Sequence, residues 1–379
     1  MRPMQIRPTA VTIDLAAVRH NLAAIRRHSP EQAICGVVKA DAYGHGLLPV
    51  SRALADSGVE WLGVGLIEEG LSLRAAGIRT PILVMDAAVD GGFERLVDAE
   101  LTPVLFTAAQ LRQLAAATDG GPYAYHLKID TGMSRLGVQM DALADFLEHA
   151  RAYPGLELAG VLTHFANADC PEDATTATQL TRFREALASV RNWGFTPNWL
   201  HCANSAALMS MPQTHTGLLR PGLALYGASP MQPQASQPSL AAELRPAMTW
   251  STRPVHIKTV APGTPVSYGG VWRAPYRATV ATLPVGYGDG YGRPMSGRAE
   301  VLVRGQRAPV VGNICMDLCM VDVSHIPDVA RDDAVVLLGA QGQDAITAAE
   351  MAGWAGTIPY EVMCGVGPRV PRRYVNELT

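Results

Sequence analysis

Lysine is scarce in this sequence. Of the 31 basic residues in the chain of 379, only Lys39, Lys128 and Lys258 are lysines, and the remaining 28 are arginines. The surface therefore takes almost all of its positive charge from arginine, which stays protonated in proteins. A lysine can lose its proton and become a nucleophile, so a lysine in an unusual position is a candidate for chemistry.

Long apolar runs, a strong net charge and paired cysteines are also missing. No segment approaches the length of a membrane span, and the first residues, MRPMQIRPTAVTIDL, contain no continuous apolar signal segment. The net charge of −3 does not indicate nucleic acid or an anionic membrane as a partner. The six cysteines are scattered, and no pair of Cys or His completes a zinc set with Cys315 and Cys319. We expect a cytoplasmic protein with reduced cysteines and no metal site.

The first two thirds of the chain carry an alternating pattern. Short apolar runs read as strands, and the segments between them place apolar residues three and four apart, as one face of a helix requires. The strand candidates are ICGVVK (34–39), WLGVGL (61–66), PILVMD (81–86), LTPVLF (101–106), YAYHLKI (123–129), LELAGVLTHF (156–165), NWLHCA (198–203) and TGLLRPGLALYG (216–227). Eight strands separated by helices predict a (β/α)8 TIM-like barrel over residues 10–240, with a doubly wound open sheet as the alternative.

The last third differs in character. A Gln-, Pro- and Ser-rich stretch, SPMQPQASQPS (229–239), is typical of a linker or an extended loop. Beyond it, short β-rich runs are bounded by Gly and Pro, which predicts a mainly β domain over residues 241–379. Residues 1–9 are expected to pair with this second domain.

Residues at the ends of the strand candidates can carry chemistry, because a barrel gathers its active site at the C-terminal ends of its strands. Reading these ends in order gives Lys39, Lys128 and Asp130, His164, His201 with Asn204 and Ser205, and Arg220. Lys39 follows five small or apolar residues, so a solvated surface position does not suit it, whereas the alternation around Lys128 fits a solvated face equally well. A lysine at a strand end suggests a Schiff base, either with a carbonyl substrate or with pyridoxal 5′-phosphate (PLP).

A phosphate cradle would favour PLP. Asn204 and Ser205 begin a short predicted helix after the seventh strand, where backbone N–H groups and the helix dipole attract an anion. Gly222 follows the eighth strand, and the loops after strands seven and eight are the usual phosphate position in barrels. Plain helix capping by Asn204 or Ser205 is the alternative.

Several motifs in order make the chain resemble the alanine racemase family, PLP-dependent enzymes built from a barrel and a β domain. The motifs are VVKADAYGHG (37–46), HLKIDTGMSRLG (126–137), THFANAD (163–169), HCANSAA (201–207), RPGLALYG (220–227), VSYGG (266–270), VGYGDG (285–290), ICMDL (314–318) and TIPYEVMC (357–364). The resemblance covers nearly the whole chain and implies an isomerase that interconverts L- and D-alanine and supplies D-alanine for peptidoglycan.

The resemblance also implies residue roles. Lys39 would hold PLP and act as one base, and Tyr268 would be the second base, reaching the active site of the partner subunit in a homodimer. Arg220 would face the pyridine nitrogen, and Arg135 would lie near the ring oxygen and the substrate carboxylate, whose site the Met316 backbone completes. Tyr43, Ser205, Gly222, Leu223 and Tyr360 would contact the phosphate, with Asn204 and His164 completing the cofactor site. Asp169, Tyr287 and Arg293 would line the access corridor.

Three points stay open at this stage. Lys128 would be carbamylated and would orient Arg135, but an unmodified lysine paired with an acid is an alternative. Asn313 stands where some family members carry an arginine in the access corridor. The alternative functions are a racemase that prefers another small amino acid such as serine, a PLP barrel decarboxylase, and a non-catalytic PLP-binding protein.

Overall fold

The computed structural model describes residues 6–86, 91–232 and 238–377. The chain forms two compact units. One comprises Val18–Ala42 and Leu47–Arg245, and the other comprises the described residues through Ala17, the segment Tyr43–Gly46 and the chain from Pro246 onward.

The larger unit is a parallel barrel. Its strands are, in order, Ala33–Val37, Trp61–Val64, Ile82–Val84, Thr102–Leu105, Tyr123–Asp130, Leu156–Leu162, Trp199–His201 and Leu218–Leu219. Each strand pairs in parallel with the next as far as the seventh, and the eighth pairs with the first through Leu218–Ala33 and Leu219–Ile34. A parallel bridge between Asn204 and Arg220 joins the seventh and eighth segments. The predicted (β/α)8 barrel is therefore confirmed, and the open doubly wound sheet is excluded.

The helices follow from the sequence pattern. In the helix Ala108–Ala117, Thr107 and Gln110 form a capping box, because the Thr107 side chain accepts from the Gln110 N–H and the Gln110 side chain accepts from the Thr107 N–H. Leu111 and Leu114 are buried, as the three-residue spacing requires. The α-helices are Leu15–His28, Leu47–Asp56, Ile67–Ala75, Phe93–Asp98, Ala108–Ala117, Leu143–Arg151, Ala174–Asn192, Ser205–Ser210, Ser239–Glu243, Ala348–Ala355 and Pro359–Cys364. The segment Lys39–Tyr43 is a left-handed turn. Short 3₁₀ turns lie at Pro212–Thr214, Leu223–Tyr226, Tyr268–Gly270, Tyr287–Asp289 and Arg293–Met295.

The second unit is mainly β. Its largest sheet has the strand order Gln306–Pro309, Glu300–Val303, Val335–Gln341, Met248–Thr252, Ala10–Asp14 and Arg372–Val375, with Asp344–Ile346 paired to Val335–Gln341. A three-stranded sheet contains His256–Val260, Ala278–Leu283 and Cys319–Asp322, and a two-stranded one contains Pro265–Val266 and Trp272–Arg273. In the barrel unit, a further two-residue strand, Val138–Gln139, pairs with the fifth barrel strand.

The N-terminal strand lies in this second unit rather than in the barrel. Ala10–Asp14 pairs with Met248–Thr252 on one side and with Arg372–Val375 on the other. Before it, Arg7 binds the buried Asp289 through two hydrogen bonds of 2.9 and 2.8 Å. The sequence places residues 10–17 within the barrel range because a strand followed by a helix is also how a barrel begins, and only the pairing decides between the two.

Two expectations fall partly on residues that the structure does not describe. Residues 1–5 and the middle of the predicted linker, residues 233–237, are among them. No helix of the described ranges has the length and apolar character needed to cross a membrane.

Candidate active site

Lys39 opens a turn of unusual hand. The first barrel strand ends at Val37, and the residues after Lys39 adopt left-handed helical angles, with φ of 54° at Ala40, 54° at Asp41 and 51° at Ala42. Each such residue costs roughly 1–2 kcal/mol when it is not glycine. Strained backbone of this kind concentrates at functional sites, where the surrounding structure holds it in place.

Glu69 holds this turn. One carboxylate oxygen accepts a 2.6 Å hydrogen bond from the Ala40 N–H, and the other accepts from the N–H groups of Gly65 and Leu66 at 2.8 and 3.1 Å. Because Gly65 and Leu66 follow the second barrel strand, a single side chain ties the turn that carries Lys39 to the end of the neighbouring strand.

Asp86 forms an ion pair with the Lys39 amine. Its Oδ2 lies 3.4 Å from Lys39 Nζ, and both side chains are about one third exposed. Asp86 follows the third barrel strand, so the rule that selected Lys39 and His164 also selects Asp86, although it is not among the residues predicted from the sequence. The site therefore contains an acid as well as several bases.

Lys128 is buried in the fifth barrel strand. Burial lowers the pKa of its ammonium group from 10.5 to about 8, and the positive charges of Arg135 and Arg220 act in the same direction, while Asp86 opposes them. The solvated position allowed by the sequence alternation is therefore wrong. A substantial fraction of Lys128 is a neutral amine near pH 8.

Arg220, at the end of the eighth strand, is buried and bonded on both terminal nitrogens. Nη1 donates to the His201 carbonyl at 2.8 Å and lies 3.0 Å from His201 Nδ1. Nη2 donates to the Thr163 carbonyl at 2.7 Å and lies 3.5 Å from His164 Nδ1. Nε makes no hydrogen bond to any residue within the described ranges, so it is the donor left for a ligand.

His164 lies near four basic residues of the barrel unit. Burial lowers its pKa well below the ordinary value, and the charges of four cations lower it further. These cations are Arg220, Arg135, Lys128 and Lys39. The tertiary structure therefore brings together basic residues from separate strand ends of the sequence, around a histidine that is neutral at physiological pH.

A second pair of buried histidines extends inward from Arg220. His201 Nε2 lies 2.9 Å from His126 Nδ1. Burial, with the charge of Arg220, lowers the pKa of His126 to about 3 and that of His201 well below its ordinary value. Because Arg220 can only donate, His201 accepts on Nδ1 and carries its proton on Nε2, which donates to His126. His126 stands at an inward position of an alternating strand, but sequence alternation alone does not distinguish it from a packed core residue.

The loops after the seventh and eighth strands meet at Ser205. Its Oγ accepts hydrogen bonds from the N–H groups of Gly222 at 2.9 Å and Ala224 at 3.3 Å. Asn204 caps the helix Ser205–Ser210 by accepting from the Ala207 N–H at 3.0 Å. Asn204 therefore caps the helix, and next to this cap the N–H groups of Gly222 and Ala224 converge on Ser205. Leu223 is fully buried and begins the next 3₁₀ turn.

The remaining predicted residues are exposed or paired within their own unit. In the β unit the rings of Tyr43 and Tyr360 lie 5.9 Å apart, while Tyr268, Met316 and Tyr287 are exposed large side chains. Arg293 is also exposed there. In the barrel unit Arg135 is exposed, and the Asp169 carboxylate accepts from the Gln232 amide at 3.1 Å.

Comparisons with known proteins match both units. The family model described as alanine racemase, N-terminal domain, matches residues 13–230, and the one described as alanine racemase, C-terminal domain, matches residues 247–374. The chain belongs to the alanine racemase family. Relatives with that name include proteins of Desulfovibrio desulfuricans, 42% identical over 98% of this chain and 99% of theirs, and of Syntrophobacter fumaroxidans, 44% identical over 94% and 95%.

Solved structures of the alanine racemase family share the fold. The alanine racemase of the D-cycloserine producer Streptomyces lavendulae superposes with a TM-score of 0.94 at 37% identity, covering 99% of this chain and 98% of that one. The biosynthetic alanine racemase of Pseudomonas aeruginosa gives a TM-score of 0.88 at 35% identity, covering 98% and 100%. The resemblance drawn from the motifs and the class of enzyme, an amino-acid racemase, are thereby confirmed.

Proposed function

We propose that this protein interconverts L- and D-alanine in the cytoplasm with the help of PLP, and supplies D-alanine for peptidoglycan. The observation that carries the proposal is that Arg220, Arg135, Lys128 and Lys39 all lie near the half-buried His164, whose pKa their charges lower, with Arg220 Nη2 3.5 Å from His164 Nδ1. Such a site suits an anionic cofactor and an amino-acid carboxylate, and it contains a lysine that can act as a base.

The residues present fit PLP. The Gly222 N–H donates to the Ser205 hydroxyl in the loops after the seventh and eighth strands, and both would contact the phosphate, together with Tyr43, Leu223 and Tyr360. Asn204 and His164 belong to the same proposed cofactor site. Lys39 is the residue that would hold the aldehyde carbon, and Arg220 Nε is the donor that would face the pyridine nitrogen. When bound, PLP supplies an electron sink that stabilises negative charge at the substrate α-carbon.

Arg220 would determine which reaction follows. A guanidinium donates hydrogen bonds and does not accept a proton. By facing the ring nitrogen, Arg220 would leave that nitrogen unprotonated and would limit how far negative charge is drawn away from the α-carbon. This would favour return of the proton to the α-carbon over transamination.

Two bases on opposite faces would move the proton. Lys39 would act on D-alanine and Tyr268, from the partner subunit of a homodimer, on L-alanine. A free tyrosine is a poor base near neutral pH, since its reference pKa is about 10. His164 accepts from Arg220 on Nδ1, and its Nε2 makes no hydrogen bond to any residue that the structure describes. The Nε2–H would therefore be able to donate to the Tyr268 oxygen and stabilise a phenolate.

The substrate carboxylate would be bound by Arg135 and by the Met316 backbone. Carbamylation of Lys128 would supply an anion to orient Arg135, and the neutral amine that this requires is consistent with a pKa of about 8. In the access corridor, Asp169, Tyr287 and Arg293 would screen substrates by charge and size.

The direct test is incubation of the PLP-loaded protein with L-alanine and chiral analysis of the products. We expect D-alanine to accumulate until both enantiomers are equal, and borohydride to attach the cofactor to Lys39. Release of carbon dioxide and an amine would contradict racemisation and indicate a decarboxylase. A parallel panel with serine and other small amino acids establishes whether alanine is preferred.

A further inference from the structure

The turn that carries Tyr268 is strained and exposed. Tyr268 has 70% of its surface accessible, and the residue before it, Ser267, has φ 66° and ψ −178°. Side-chain-bearing residues almost never occupy this region of backbone space, which is essentially restricted to glycine. Such a conformation persists only where neighbouring groups hold it.

Asn313 makes two hydrogen bonds to this turn. Its side-chain Nδ2 donates to the Tyr268 carbonyl at 2.7 Å. Its backbone carbonyl accepts from the Ser267 hydroxyl at 2.6 Å. Asn313 is therefore bonded both to the strained residue, Ser267, and to the residue that follows it, Tyr268. The Ser267 hydroxyl also lies 3.4 Å from the Cys315 thiol.

The segment around Asn313 is itself a fixed support. A Cβ on Gly312 would lie 2.6 Å from the Val266 carbonyl oxygen, so the two backbones are in close contact and Gly312, at φ 69°, permits it. On the other side of Asn313, the Ile314 N–H donates to the Ser296 hydroxyl at 3.0 Å.

We propose that Asn313 is a positioning residue for Tyr268, with Ser267 as its partner. This inference rests on the proposed function, in which Tyr268 is the base for L-alanine. Asn313 occupies a position assigned to the access corridor by resemblance, but its amide is bonded to the Tyr268 turn. Asn313 would therefore affect catalysis through the orientation of the Tyr268 side chain, and not through the charge that a substrate meets in the access corridor.

Asn313→Asp is the sharpest variant, because it keeps the shape of the side chain and replaces the donor by an acceptor. Asn198→Asp makes the same chemical change at an exposed position of the barrel unit and is the control. Thermal unfolding of each variant establishes that both proteins fold. Ser267→Ala removes the other half of the contact.

The first measurement is hydrogen–deuterium exchange of the cofactor-free protein at millisecond-to-second labelling times. Loss of one hydrogen bond is expected to speed exchange in peptides covering residues 266–270 by about tenfold in Asn313→Asp and Ser267→Ala, and not in Asn198→Asp. Unchanged exchange in these peptides would overturn the proposal. This result does not depend on any enzymatic activity, so it stands whether or not the proposed function does.

The second measurement tests the consequence for Tyr268. If only the tyrosine step slows in Asn313→Asp, the primary isotope effect with α-deuterated L-alanine should rise, because Tyr268 removes that deuterium. The effect with α-deuterated D-alanine should fall, because Lys39 removes it in a step that is no longer limiting. Equal changes in both directions would refute a role specific to Tyr268, even if exchange had increased.

Discussion

Among the individual residues, Arg220 determines which nitrogen of two histidines carries the proton, because its guanidinium can only donate hydrogen bonds. Its two terminal nitrogens reach His201 and His164, so each of these rings presents Nδ1 to the guanidinium and keeps its proton on Nε2. A lysine would offer the same charge without the planar pair of donors that spans both histidines. The protonation pattern of the site is thus a consequence of one guanidinium and of burial.

Lys128 gives a prediction about stability and pH. Its pKa in the folded protein is about 8, below the ordinary value of 10.5, so between these values the unfolded chain binds more protons. The unfavourable contribution of Lys128 is therefore fully present below pH 8 and disappears as the pH rises through 10.5. Lys128→Met should stabilise the cofactor-free protein at pH 7, by at most about 3 kcal/mol at roughly 1.4 kcal/mol per pKa unit.

Urea unfolding in carbon-dioxide-free buffer checks this prediction. The advantage of Lys128→Met over the unsubstituted protein should shrink between pH 8 and 10.5. Lys258→Met, the same change at an exposed lysine, should show no such trend. A constant difference across this range would mean that Lys128 is not perturbed by burial.

At the scale of elements, the left-handed turn after the first barrel strand is the least expected feature. Its residues are Ala, Asp and Ala, none of which favours positive φ as glycine does. The turn is maintained by tertiary contacts, notably the carboxylate of Glu69, and a sequence pattern of three non-glycine residues would instead be taken as the start of an ordinary right-handed helix.

We predict that glycine substitution in this turn does not lower stability, in contrast to glycine substitution inside an ordinary helix. Ala40→Gly removes a side chain from an exposed left-handed position, so relief of strain should offset the greater entropy of the unfolded chain, and stability should stay equal or rise by up to about 1 kcal/mol. Ala188→Gly, at an exposed position inside the helix Ala174–Asn192, should lower stability by about 1 kcal/mol. Chemical denaturation of the two variants compares them directly, and equal losses at both positions would contradict a left-handed turn.

At the scale of the whole molecule, the proposed division of labour between subunits can be tested by mixing inactive variants. If Tyr268 acts in the partner's site, a mixed dimer of Lys39→Ala and Tyr268→Phe chains has one site with both bases intact and one with neither. Random re-association should then restore about a quarter of the original activity, since half of the dimers are mixed and each has one working site.

Lys39→Ala mixed with Arg135→Ala is the matched control. Both residues belong to the barrel unit and would come from the same chain in each site. Each mixed dimer would then have one defect in each site, and no activity should return. Restoration in this control to the same degree would show that the mixing experiment does not report on Tyr268.

The architecture of the barrel and its strand-end residues can be predicted from the sequence without any structure. Apolar runs of strand length and intervening helical periodicity are local properties, and the loops after parallel strands must gather at one edge, so Lys39, His164 and Arg220 were found without coordinates. The ordered motifs also predicted the family, which the comparisons confirm.

The pairing of the N-terminal strand, the pKa of Lys128 and the strained turns depend on long-range contacts and could not be predicted from the sequence. The N-terminal strand Ala10–Asp14 joins the β unit because its partners lie far away in sequence, and no local pattern encodes which strand a segment will pair with. Burial gives Lys128 its lowered pKa, and strained backbone at Ala40 and Ser267 is set by the distant groups that hold it, Glu69 and Asn313. These features depend on the distances between residues separated along the chain, and such distances exist only once the chain has folded.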